Sequence, residues 1–170
     1  MRDIIAAMGD GDDLARYGSL PDGQFFIDSQ FRKGAASSKA FAAFLATKKP
    51  SNLTNGATID VGQVLSAYNR KEFHHLFPKA YLKNASVSNA LANALGNICM
   101  LGSGENKNIG DRAPSKYVAQ LQSDLGGAFD DVMDSNFLSK QVVEMMLQED
   151  YAGFLEARAD TLQEAVARLA

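Results

Sequence analysis

The segment EFHHLFPK, Glu72 to Lys79, carries both histidines of the chain side by side, three residues ahead of Pro78. In an extended segment consecutive side chains point to opposite faces, so His74 and His75 are poor candidates for equivalent ligands of one ion. Divergence suits two different tasks. One imidazole can hold a metal while the other stays uncoordinated and takes a proton from water, since a free imidazole titrates close to neutral pH. Adjacent histidines also arise as ordinary surface composition, so context has to decide. Two asparagines supply it: Asn97 opens the apolar run NICML, and Asn106 comes nine positions later. An asparagine carbonyl is a neutral oxygen donor that suits a hard cation such as Mg²⁺, and one His with one Asn would leave an open coordination site. Taken singly, each asparagine is an ordinary turn or cap residue.

These residues need elements to hold them. RKEFHHLFP reads as an extended strand halted by Pro78, KAYLKN as a turn or short helix, and NICML as a buried strand that begins at Asn97. Gly102 and Gly104 punctuate a loop before ENKNIG, a short helix capped by Ser103 that would carry Asn106 and Lys107. The surroundings are helical in pattern. Phe25, Phe26 and Phe31 recur at helical spacing between Asp22 and about Lys33, and Phe41, Phe44 and Leu45 do so between Ser37 and Lys48. Ser37 or Ser38 can cap the second of these helices, and Pro50 stops it. Ile59 to Tyr68 is ambiguous, with Asp60 as an N-cap tilting it toward a short helix. Pro114 sits where the first turn of a helix accepts proline. From Asp150 onward Tyr151, Phe154, Leu155, Leu162, Val166 and Leu169 form the longest apolar stripe; Arg158 lies on it, with its stem expected to pack and its head to reach water or a carboxylate.

With that order in place, EFHHLFPKAYLKN and then NALGNICMLGSGENKNIGDRAPSKYV resemble the HNH, or His-Me finger, nuclease motif in its ββα form. The likeness is to the C-terminal nuclease domain of GmrSD-type modification-dependent restriction proteins and to SspE-like anti-phage nucleases, and the residue order also resembles the HNH domain of RNA-guided CRISPR nucleases. The resemblance implies a mainly α fold with a small embedded ββα-metal unit at about 70–113, between helical scaffolds at 1–69 and 114–170 of a single nuclease domain. It implies His75 as general base, His74 and Asn106 as metal ligands, and Asn97 as the residue that helps fix the catalytic histidine. The cofactor implied is a divalent metal, Mg²⁺ with Mn²⁺ able to substitute. The partner implied is DNA, together with an N-terminal sensor or NTPase-type domain in a longer protein from whose C-terminal part this chain is excised. His74 stands where many relatives carry Asp, which removes a negative charge, and no further histidine appears on the finger helix. A nuclease-like fold kept only for DNA binding or assembly is the alternative.

Charge supports a local polyanion site. Residues 70–116 hold seven basic and three acidic side chains, a net +4, whereas the remainder holds ten and seventeen, a net −7. Such asymmetry points a phosphate backbone toward the histidines, unless these lysines only solvate a loop-rich surface. Lys79, Lys107 and Arg112 are the expected phosphate contacts. The overall balance of −3 advertises no nucleic-acid or membrane partner for the molecule as a whole. Cys99 is the single cysteine among apolar neighbours, which suggests a buried thiol in the cytoplasm. One cysteine and two histidines cannot close a four-ligand structural zinc shell. No GxxxxGK[ST] phosphate loop and no apolar run of about 18 residues is present.

Overall fold

The structure, a computed structural model, describes residues 20–32, 34–62, 64, 73–101 and 109–169. Among these the chain is mainly helical, with one two-stranded antiparallel sheet. In order come α1 (Gly23–Asp28), α2 (Ala36–Thr47), β1 (Phe73–His75), α3 (Lys79–Asn84), α4 (Asn89–Ala92), a 3₁₀ turn (Leu95–Asn97), β2 (Ile98–Met100), α5 (Pro114–Leu125), a 3₁₀ turn (Gly126–Ala128), α6 (Phe129–Ser135), α7 (Lys140–Gln148) and α8 (Tyr151–Ala167). No described helix is long and apolar enough to cross a membrane.

The sheet pairs Phe73 with Met100, His74 with Cys99 and His75 with Ile98. All three residues of β2 are buried, and they divide the core. Cys99 faces a cluster with Leu76, Phe77, Tyr117 and Phe154, while Ile98 and Met100 join Phe26, Phe41, Phe44 and Leu162. A strand covered on both faces reads as the continuous apolar run ICML that the sequence shows. Around it α8 packs against α7 and α1, and also touches the 95–97 turn. Asp150 caps α8 by accepting from Gly153 N–H at 3.0 Å, and Tyr151, Phe154, Leu155, Leu162 and Val166 are buried as the stripe requires.

Several local expectations give way to tertiary pairing. The first helix ends at Asp28 and does not run to Lys33, because Ser29 and Phe31 bond to the backbone of residues 93–95: Leu95 N–H donates to Ser29 O and Phe31 N–H to Asn93 O, each at 2.8 Å. Neither Ser37 nor Ser38 caps α2. The cap position is Ala35, and Ser38 lies buried inside the helix, its Oγ accepting Arg32 N–H at 2.8 Å. Asn97 closes the 3₁₀ turn ahead of β2 and does not begin the strand. Val61, Gly62 and Val64 are helical, immediately after Asp60; the rest of that segment through Tyr68 lies outside the described residues. So do residues 1–19 and 102–108, and with them the Ser103-capped helix.

Arg158 departs furthest from expectation. Its side chain is fully buried, and it reaches neither water nor a carboxylate. Nη1 donates to Gly96 O at 2.9 Å and Nη2 to Asn136 O at 3.3 Å, while Nε has no partner. The reason is geometric: α8 packs against the 95–97 turn, and both acceptors that the guanidinium meets, one in that turn and one at Asn136, are backbone carbonyls. Gly96 permits that approach, since a Cβ there would lie 3.2 Å from Leu155 Cδ2 and 3.4 Å from Phe26 O.

Candidate active site

The site begins with the short strand β1. Pairing with β2 puts His75 on the face of Phe73, Ile98 and Met100, and His74 on the face of Cys99, so the adjacent imidazoles do diverge. Both are half-buried. Phe31 secures the strand's start, its ring 5.0 Å from that of Phe73.

The backbone just beyond His75 is held by side chains as well as by backbone. Leu76 N–H donates to Asn97 O at 2.9 Å, and Leu76 O accepts the Tyr117 hydroxyl at 2.7 Å. Phe77 N–H donates to Asn97 Oδ1 at 2.8 Å, and Asn97 Nδ2 donates to Phe77 O at 3.1 Å and to Ala92 O at 2.9 Å. Both backbone polar groups of Leu76 and both of Phe77 are thereby satisfied by Asn97 and Tyr117. Pro78 comes next and has no N–H to satisfy. The Phe77 ring is fully buried between Tyr151 and Phe154, with centroids 5.0 and 4.8 Å away. Asn97 is completely buried and the Tyr117 hydroxyl is sealed with it; burial raises the tyrosine far above its usual value, so it serves as a neutral donor.

The imidazole of His75 meets Asn93, with Nε2 lying 3.1 Å from Asn93 Oδ1. Burial lowers the His75 pKa below its ordinary 6.5, the charges of Lys79 and His74 push the same way, and the Asn93 hydrogen bond opposes them. The net direction favours the neutral imidazole, the form a general base needs. Burial also pushes the Cys99 thiol up to about 11, which leaves it inert beneath His74.

The fold thus brings together His74, His75, Asn97 and, through its charge, Lys79 at the start of α3. Arg112 lies in the loop before α5, exposed, its Nε donating to Ile109 O at 3.3 Å. Asn106 and Lys107 lie outside the described residues, and among those described no group of three or more His, Cys, Asp or Glu could hold a metal ion. Sequence reasoning missed Asn93, Tyr117 and the part played by Arg158. Asn93 had a signal: asparagines recur every fourth residue at 89, 93 and 97, a helical spacing that ends at the strand. The tyrosine had none.

No protein-family model and no solved structure matches the chain. Among curated proteins it is similar to an uncharacterized protein of Methanocaldococcus jannaschii, 26% identical over 124 residues that cover 61% of this chain and 21% of that protein. The chain spans about a fifth of that relative's length.

Proposed function

We propose that the chain is a divalent-metal-dependent endonuclease domain of the HNH, or His-Me finger, type, which nicks or cleaves DNA as the effector part of a restriction or anti-phage defence protein. The observation that carries this reading is the half-buried His75 on a two-stranded antiparallel unit, its imidazole against Asn93 and the backbone just beyond it latched by the side chain of Asn97. Such a latch is what a base needs whose rate depends on sub-ångström placement. In the reaction His75 takes a proton from water as the water oxygen bonds to phosphorus. The bond to the leaving oxygen breaks, and that oxygen departs with the electron pair and gains a proton from solvent. Lys79 and Arg112, with Lys107, hold the phosphate backbone.

His74 fits a second, separate task because its side chain is on the opposite face from His75. An imidazole together with the Asn106 carbonyl would suit a cation that keeps several positions open. When bound, Mg²⁺ or Mn²⁺ supplies the positive charge that offsets charge developing on the phosphate and the leaving oxygen. Recognition of a modified or foreign DNA would belong to an N-terminal sensor or NTPase-type domain, and the setting is the cytoplasm, where Cys99 stays a thiol.

Purified protein with Mg²⁺ or Mn²⁺ should convert supercoiled plasmid to nicked or linear forms, and EDTA should stop it. Plasmid that is retarded on a gel yet stays intact over a wide protein concentration range would sink the nuclease reading and leave a DNA-binding module.

A further inference from the structure

His75 has two ring nitrogens, and which of them bears the proton decides which can act as a base. The hydrogen bonds around Asn93 answer this. Asn93 Nδ2 lies 2.6 Å from the backbone carbonyl of Asn89 and 3.2 Å from Asn89 Oδ1. A backbone carbonyl can only accept, so the Asn93 atom that meets it must be the amide nitrogen; exchanging the amide's two ends would set two acceptors against each other. Asn93 Oδ1 is thereby the atom turned to His75, and it too can only accept. The nitrogen facing it, Nε2, must donate.

The backbone fixes Asn93 in this stance. It caps the C-terminus of α4, its N–H reaching the carbonyls of Asn89 and Ala90, and its own carbonyl accepts Phe31 N–H at 2.8 Å. Phe31 also supports β1 through Phe73, so one residue braces both the imidazole's strand and the imidazole's partner. Among the described residues no hydrogen bond reaches His75 Nδ1.

We propose that Asn93 is the positioning residue of His75, holding the imidazole as the Nε2–H tautomer and leaving Nδ1 as the nitrogen whose lone pair faces the reacting water. This rests on reading His75 as the general base, and it names both the residue that orients the base and the atom that does the work. Asn93 touches neither substrate nor metal in this role. It keeps the ring from settling into the alternative Nδ1–H form, in which the lone pair would point into the α4 cap.

The test uses ¹⁵N-labelled full chain with EDTA present, at a pH where the rings are neutral, and reads the tautomer of His75 from its two nitrogen shifts and their long-range proton couplings. Wild type should show a pyridine-type Nδ1 and a pyrrole-type Nε2. Asn93→Ala should give a mixture of tautomers and lower kcat for plasmid nicking about tenfold or more with KM for DNA unchanged. Asn93→Asp offers an oxygen that can only accept, so it should restore the single Nε2–H form and recover most of the kcat, although it gives up the Asn89 contact. A wild type with Nδ1–H, or an Asn93→Ala variant whose ring stays a single Nε2–H tautomer, overturns the assignment, and the wild-type spectrum decides even if a variant does not fold. Nicking by a wild-type protein with Nδ1–H defeats this inference alone. The Nε2–H form in a protein that never nicks defeats the nuclease reading and leaves Asn93 as the orienting partner.

Discussion

Gly96 and Asn97 are neighbours in one 3₁₀ turn, yet they are secured by opposite chemistries. On the β1 side a neutral amide does the work: Asn97 is fully buried and its side chain makes three hydrogen bonds, all to backbone atoms. On the α8 side a guanidinium does it, also fully buried, with two backbone carbonyls as acceptors and Nε unpartnered. Burial lowers the Arg158 pKa to about 10, although the Cys99 and Tyr117 groups oppose this. A neutral amide recovers its desolvation cost when its bonds are made, whereas a buried cation without a counter-charge recovers only part. The difference shows where the fold tolerates cost. The side that bears on His75 is closed with the less costly and more completely bonded group.

The largest effect expected is on catalysis and not on stability. His75→Ala should cut the nicking rate by roughly a hundred- to ten-thousand-fold while the protein stays folded, with little rescue by added Mn²⁺. His74→Ala should instead weaken metal affinity and recover partly at high Mn²⁺, as calorimetric titration beside nicking rates will show. If His75→Ala abolishes metal binding and His74→Ala spares it, the two roles are reversed. The pH dependence carries the same sign. Because the folded-state pKa of His75 is depressed, the active neutral form persists below 6.5, and the acid limb of the rate profile should have its midpoint on the acid side of that value. Linkage runs with it: stability associated with His75 is fully present above 6.5 and is lost as pH falls through the lowered folded pKa.

Next in size is the amide clamp. Asn97→Ala strands Phe77 N–H, Phe77 O and Ala92 O in the interior, at about 1–3 kcal/mol for each buried group left unpaired, so chemical denaturation should show a loss of about 3 kcal/mol or more. Arg158→Met should cost less, about 1–2 kcal/mol, since it leaves only the Gly96 and Asn136 carbonyls unpaired and removes a charge that burial disfavours. A larger loss for Arg158→Met than for Asn97→Ala would reverse the comparison. The smallest effect belongs to the exposed cations. Lys79→Ala with Arg112→Ala should lower the slope of log K for DNA against log salt by about one per phosphate contact, and an unchanged slope would clear both of a backbone role.

The parts of this architecture that could be read from the sequence are those fixed by short-range chemistry. Pro114 opening α5 and Asp150 capping α8 each act within a turn of themselves, whereas β1 already ends at His75 and Pro78 stands at the N-cap of α3. What could not be read depends on partners far along the chain. Ser38 has a cap-like identity, but Arg32 N–H competes for its hydroxyl; the first helix stops at Asp28 because residues 29–31 pair with 93–95. The site divides in the same way. The adjacent histidines and Asn97 stand out by type and spacing, whereas the His75–Asn93 contact joins residues eighteen apart and depends on α4 ending where it does. Arg158 looked like any amphipathic-helix arginine, since no local pattern tells that both acceptors it meets are backbone carbonyls.

The closure of Leu76 and Phe77 by Asn97 and Tyr117 also sets a clock. Their amide hydrogens can reach solvent only when the Asn97 latch, the packed Phe77 ring and the sheet come apart together, so their exchange should track the global opening of the molecule. The α4 turn ahead of Asn93 is exposed over Asn89, Ala90 and Leu91, and its amides there should exchange sooner. The Leu76–Phe77 backbone and the Asn93 partner of His75 therefore open on different timescales. The ring can lose and regain its partner many times during one lifetime of the scaffold beneath it.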